Sequence, residues 1–310
     1  MRQFNFIFYF LFFIFTCAIR AFGKENIVTK NIVMSDGHPI TVWEKSLDNS
    51  KGVILLHHGR TWSSLPDFDL QVVGEDLSLM DGFNEQGYSV LAMDARGYGE
   101  TPRDESGWNT PNKASKDLSV VLEWLYARSG KKIHVWGWSM GSMLSQLAAQ
   151  QYPSQFASLT LFGYPAGQVG YPFSQGVQTI ENNQYSQPLK EATTAQAAAS
   201  DFIVPGTISQ KAIDEYVRHA LSADPVRADW NQLGQYNKID AQKVTIPVLM
   251  LQAEFDPLAN TEIHAEVFSA FPNANKQWIV LKGGDHAALL EKSRGQLIDA
   301  TISFIEWLDK

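Results

Sequence analysis

Five consecutive residues carry the clearest chemistry in the chain: Gly137-Trp138-Ser139-Met140-Gly141. They follow the apolar run Ile133-His134-Val135-Trp136 and open a segment with Met143, Leu144, Leu147 and Ala148 on one face. A serine between a strand and a helix sits on a sharp turn. Its flanking glycines remove Cβ atoms where the two arms converge. The unpaired N–H groups at the helix start lie beneath the hydroxyl and favour a developing oxyanion. Gly-x-Ser-x-Gly alone arises by chance in long chains, so the strand before it, the helix after it and its downstream partners carry the weight.

A serine hydroxyl is a weak nucleophile at neutral pH and needs a base. Of seven histidines, His286 in Gly283-Gly284-Asp285-His286 lies just after the apolar run Trp278–Leu281, where a loop can carry it over the sheet edge. His57 and His58 end another run, and their Gly-linked turn suggests a loop brace. His134 is expected in the core, and His219 and His264 on helix surfaces. The base in turn needs an acid to fix its tautomer and stabilise the imidazolium. Asp256, in Glu254-Phe255-Asp256-Pro257 after Val248–Leu251, is preferred. Asp285 adjoins His286, and adjacent residues rarely face each other well enough. Asp94 precedes the serine in the chain, and Glu254 is expected to point the other way. The oxyanion donors expected are the backbone N–H groups of Met140 and Arg60, the latter from the loop His58-Gly59-Arg60-Thr61-Trp62.

These residues need a scaffold that brings distant loops to one rim. Val53–Leu56, Tyr88–Met93, Ile133–Trp136, Leu159–Phe162, Val248–Leu251 and Trp278–Leu281 are unbroken apolar runs. Such runs imply strands buried on both faces, as in a parallel sheet covered by helices. Helical spacing separates them at 115–128, at 140–151 before Pro153, and in a closing stretch through Leu297, Ile298, Ile302, Ile305 and Leu308. Segments 27–34 and 39–45 suggest a leading antiparallel hairpin. The rhythm breaks from 166 to 240, a stretch rich in Gln, Ala, Ser and Asn that carries Tyr171, Phe173, Tyr185 and an amphipathic helix at 209–222. It is expected to form an ordered helical cap whose aromatics wall an apolar pocket.

The chain has 310 residues and a net charge of −8, with no Lys/Arg cluster of the kind that phosphate binding needs, which argues against nucleic acid as a partner. Arg2, the apolar run Phe6 to Ile19 and the small-x-small exit Ala21-Phe22-Gly23 describe a secretory signal peptide over 1–23. The run is shorter than the about 20 residues a bilayer span needs. A cleaved leader is therefore preferred to an uncleaved membrane anchor, and Ile14-Phe15-Thr16 fits a lipoprotein site at Cys17 poorly. Cleavage would take the charge from −8 to −10 and remove the only cysteine, excluding a Cys nucleophile and a thiolate metal site. The expected destination is secreted or periplasmic, with no membrane span in the mature chain. No His-Glu-x-x-His spacing and no Gly-rich phosphate loop appears, so neither a metal nor a nucleotide cofactor is expected.

Taken together, the His58-Gly59 turn, Asp94-Ala95-Arg96-Gly97-Tyr98-Gly99, the Ser139 elbow, the acid after Ile246-Pro247-Val248-Leu249 and the late Gly-Asp-His resemble the α/β-hydrolase superfamily. The likeness covers about 50–165 and 244–310. It implies an α/β-hydrolase fold, a mostly parallel twisted sheet flanked by helices, with core segments 24–165 and 241–310 and an inserted helical cap over 166–240. In that family the Asp94–Gly99 loop is mainly structural, and the serine nucleophile excludes the branches that use aspartate. The resemblance implies a Ser-His-Asp hydrolase and does not supply its substrate; the activity expected from the triad is hydrolysis of small or medium carboxylic esters through an acyl-enzyme, with a small-molecule ester-like substrate as the partner. A peptidase or amidase and a carbon–carbon bond hydrolase use the same triad; an aminopeptidase should also carry acids near the site. A catalytically dead binding protein usually lacks a triad member, and none is missing here.

Overall fold

The computed structural model describes residues 28–165, 180–182 and 184–310. The apolar runs become eight strands: β1 (Thr29–Ser35), β2 (His38–Lys45), β3 (Val53–His57), β4 (Ser89–Met93), β5 (Ile133–Trp138), β6 (Phe156–Phe162), β7 (Val248–Ala253) and β8 (Lys276–Leu281). They form one sheet in the order β1-β2-β4-β3-β5-β6-β7-β8. β1 and β2 make the expected antiparallel hairpin, β2 runs antiparallel to β4, and every later pairing is parallel.

The unbroken hydrophobicity of the central strands has a simple cause. Leu55 faces one apolar layer while Ile54 and Leu56 face the other, so neither side of the pleat can be polar. The helices are α1 (Ser64–Phe68), α2 (Leu79–Glu85), α3 (Pro111–Ser129), α4 (Met140–Gln151), α5 (Ala195–Ala199), α6 (Gln210–Ala223), α7 (Thr261–Ala270) and α8 (Arg294–Leu308). Leu118, Val121 and Leu122 of α3 and Leu144 and Leu147 of α4 fill the first layer. Phe83 of α2 and Leu297, Ile298 and Ile305 of α8 fill the second.

Local signals set the helix ends. Thr110 Oγ1 accepts from the N–H of Lys113 and Pro111 occupies the first turn of α3, which stops at Gly130 with φ 67°. The edge strand β8 departs from the expectation of burial on both faces. Its first four residues are half-buried and Val280 is exposed; among the described residues β8 is the last strand of the sheet, at its edge.

Between β6 and β7 the chain places α5 and α6, the latter one residue beyond the expected 209–222. Asp224, just past α6, accepts from the N–H groups of Ser63 and Gly99 and so ties this segment to two core loops. The leader expected at 1–23 lies outside the described residues, as do Tyr171 and Phe173. Tyr185 is exposed and does not line the cavity beside Ser139. Among the described residues no helix is long and apolar enough to cross a membrane.

Candidate active site

Ser139 joins β5 to α4 with φ 54° and ψ −121°, a region that a non-glycine residue occupies only when its surroundings hold it there. The neighbouring glycines explain how the turn closes. A Cβ on Gly141 would lie 2.2 Å from the carbonyl oxygen of His57, and one on Gly137 would lie 2.6 Å from that of Gly141. The Ser139 amide donates to Phe162 O at 2.9 Å, fixing the turn to β6. Among the described residues, the first turn of α4 contains no acidic side chain to compete with an anion.

His286 and Asp256 meet at the same rim from the loops after β8 and β7. His286 Nδ1 is 2.9 Å from Asp256 Oδ2, and both side chains are buried. Asp256 Oδ1 accepts from the N–H of Leu258. A carboxylate at Nδ1 requires the proton there, which leaves Nε2 as the free base of the neutral ring. Trp138, next to the serine, donates from Nε1 to the His286 carbonyl oxygen at 2.8 Å and lies beside the imidazole, with ring centroids 5.5 Å apart. Neither this bond nor the role of Gly163 was read from the sequence. Gly163 has φ 55°, and a Cβ there would stand 3.0 Å from His286 Cε1.

The rival acids are occupied elsewhere. Asp285 turns away from His286: its Oδ2 accepts from the N–H groups of Ile203 and Val204 at 2.7 and 2.6 Å, and its Oδ1 accepts from that of Ala287. Asp94 accepts from Ser64 N–H, Trp43 Nε1–H and Glu100 N–H, and burial pushes it up to about 6. Arg96 is bidentate to Asp117 and also reaches Asp104. Glu254 accepts from Gly283 N–H.

The loop after β3 is braced from several directions. His58 Nε2 accepts from the amide of Ala95, so its Nδ1–H donates to Gly59 O at 2.8 Å. Burial holds His58 down to about 4 and His57 to about 3, which keeps both neutral. The Tyr98 hydroxyl donates to Arg60 O. One expectation fails at His264. It is buried on α7, 2.8 Å from Tyr164 O and 3.2 Å from Gln252 Oε1, because that face of α7 packs against the sheet rather than solvent.

Ser139, Met140, Arg60 and His286 all border one cavity of about 410 Å³, with Trp138, Met143, Ile180, Leu233 and Leu258 among its apolar walls. Asp201 and Asp67 border it too. Among the described residues no group of three His, Cys, Asp or Glu side chains is placed to hold a metal ion.

A mostly parallel sheet with this elbow and these loops at one rim is that of an α/β-hydrolase, and the protein is an enzyme of that superfamily. Residues 48–293 match the family described as serine aminopeptidase, S33, and the chain belongs to that family. It is 23% identical over 307 residues to a Bacillus subtilis (strain 168) protein provisionally named as a 2-succinyl-6-hydroxy-2,4-cyclohexadiene-1-carboxylate synthase, covering 89% of this chain and 99% of the other. It is 24% identical over 244 residues to Lipase 3 of Moraxella sp. (strain TA144), covering 71% and 74%. Among solved structures, a thermophilic esterase from Thermogutta terrifontis superposes with a TM-score of 0.66 at 17% identity, covering 91% of this chain and 100% of that one.

Proposed function

We propose that this hydrolase cleaves small or medium carboxylic esters through an acyl-enzyme, with Ser139 as nucleophile, His286 as base and Asp256 as the acid that orients it. The observation that carries the reading is the bond between His286 Nδ1 and Asp256 Oδ2, made while His286 and the strained Ser139 border one cavity. His286 Nε2 takes the proton of the Ser139 hydroxyl as Oγ attacks the ester carbonyl carbon. The oxyanion is held by the N–H groups of Met140 and Arg60. Collapse breaks the bond to the alcohol oxygen, which receives the proton from His286. Water then attacks the acyl-enzyme by the same sequence, releasing the acid and restoring Ser139. The cavity volume and its apolar walls suit an acyl chain of modest size.

In the same reading, residues 1–23 are a cleaved leader, 166–240 a cap over the site, and the partner is a small molecule rather than nucleic acid or membrane. The test is a hydrolysis screen of the wild type and Ser139→Ala across esters of rising acyl length, aminoacyl amides and diketones. Short and medium esters turned over only by the wild type support the reading. Turnover by Ser139→Ala at the wild-type rate, or turnover of diketones alone, overturns it.

A further inference from the structure

One side chain outside the triad reaches the nucleophile turn, the base and the oxyanion loop at once. Trp138 ends β5 immediately before Ser139, so it is built into the nucleophile turn. It is buried and borders the cavity. The two edges of its indole meet different loops. On the pyrrole edge, Nε1–H donates to the carbonyl oxygen of His286 at 2.8 Å, across 148 residues of chain. Cδ1 of that edge is 3.1 Å from the place a Cβ on Gly163 would take. On the benzene edge, Cε3 and Cζ3 lie 3.4 and 3.6 Å from the place of a Cβ on Gly59, the residue before Arg60.

Holding an imidazole still takes more than one fixed point. Asp256 supplies one at Nδ1. The bond from Trp138 supplies another at the backbone carbonyl of the same residue, so both ends of His286 are tied. The indole also lies beside the imidazole, with the planes 38° apart and the centroids 5.5 Å apart, and closes that side to a swing of the ring. Gly163 leaves room for this pair, since its Cβ would press on Trp138 Cδ1 and on His286 Cε1 alike. The competing role is space filling, because Trp138 also belongs to one of the two apolar layers. The two roles differ in chemistry. Phenylalanine can fill much of the same space, but it has no N–H and would leave the His286 carbonyl without this donor.

We propose that Trp138 is a positioning residue for His286: braced by the Gly59 turn on its far edge, it ties the base loop to the nucleophile turn. The proposal rests on the acyl-transfer reading above and adds to the triad a side chain that exchanges no proton.

Three variants separate anchoring from filling. Trp138→Phe keeps an aromatic ring and removes the donor. Trp138→His keeps a five-membered ring whose Nε2, like the indole Nε1, stands two bonds from Cγ and can donate from the same place. His286→Ala removes the base through which the anchor acts. On a short ester, Trp138→Phe should lower kcat by about ten- to a hundredfold with KM within a few-fold of wild type. Trp138→His should recover most of that loss. In the His286→Ala background, Trp138→Phe should change the rate of fluorophosphonate acylation by less than about twofold, because nothing is left to position. A kcat of Trp138→Phe within about twofold of wild type, no gain of Trp138→His over Trp138→Phe, or an undiminished loss in the His286→Ala background overturns the proposal. Should Trp138→Phe not fold, benzothiophene in place of the Trp138 indole removes the N–H alone and carries the same expectations. If wild type and His286→Ala acylate equally, the acyl-transfer reading itself fails, and proton NMR decides the anchor. The low-field His286 Nδ1–H resonance, assigned by its loss in His286→Ala, should broaden or vanish in Trp138→Phe and persist in Trp138→His. A resonance unchanged in Trp138→Phe refutes the anchor.

Discussion

His286 Nδ1 and Asp256 Oδ2 meet at 2.9 Å although their loops follow different strands, β8 and β7. Adjacent pairing of those strands in parallel delivers both loops to the same rim. Asp256 accepts one hydrogen bond from His286 Nδ1–H and one from the Leu258 amide, so its orientation is set before any substrate arrives. Asp256→Asn keeps the shape but replaces one acceptor oxygen with an NH₂ donor, favouring the wrong imidazole tautomer. Its kcat on a short ester should fall by about 10⁴ with KM within a few-fold of wild type. Steady-state kinetics of the purified variant checks this.

Gly163 predicts a subtler defect. A Cβ at this left-handed position would press on His286 Cε1. Gly163→Ala should fold, yet lose about ten- to a hundredfold in kcat through displacement of the imidazole. The rate of acylation by a fluorophosphonate, measured beside circular dichroism, separates misplacement from unfolding.

How much of this could be read from residue order follows from distance along the chain. The elbow, the acid after β7 and the histidine after β8 each lie within a few residues of an apolar strand, so local pattern located them. The Asp67–Tyr216 bond joins residues 149 apart, and nothing local marks Asp67 as a residue that borders the cavity. α1 and α2 have five and seven residues, too few for a helical period to register. The burial of His264 is not legible in the sequence, because a helical pattern gives no indication of which face meets the sheet when both faces carry mixed residues.

Asp285 ties the His286 loop to the segment before α6. Asp285→Ala leaves the amides of Ile203 and Val204 without their acceptor and should lower stability by about 1–3 kcal/mol. Hydrogen exchange should quicken first at those two amides. Unchanged protection there would mean that the clamp carries no energy.

Glu291 gives a pH signature. Its carboxylate accepts from Thr207 Oγ1–H and from the Asp285 amide, and burial raises it from 4.5 to about 7, with Asp285 adding to the rise. A raised carboxyl favours the folded state while protonated. That contribution is complete below about 4.5 and lost as pH rises through about 7. Glu291→Gln stays neutral, so the Tm of the variant minus that of wild type should increase between pH 5 and 8. A difference that is flat with pH would contradict the assignment.

The central claim concerns one oxygen atom, and covalent labelling reaches it most directly. The wild type treated with a fluorophosphonate and digested should yield a single adduct, mapped by mass spectrometry to Ser139, and the adduct should be absent from Ser139→Ala and slowed by orders of magnitude in His286→Ala. An adduct on another residue, or equal labelling of His286→Ala, would contradict the account.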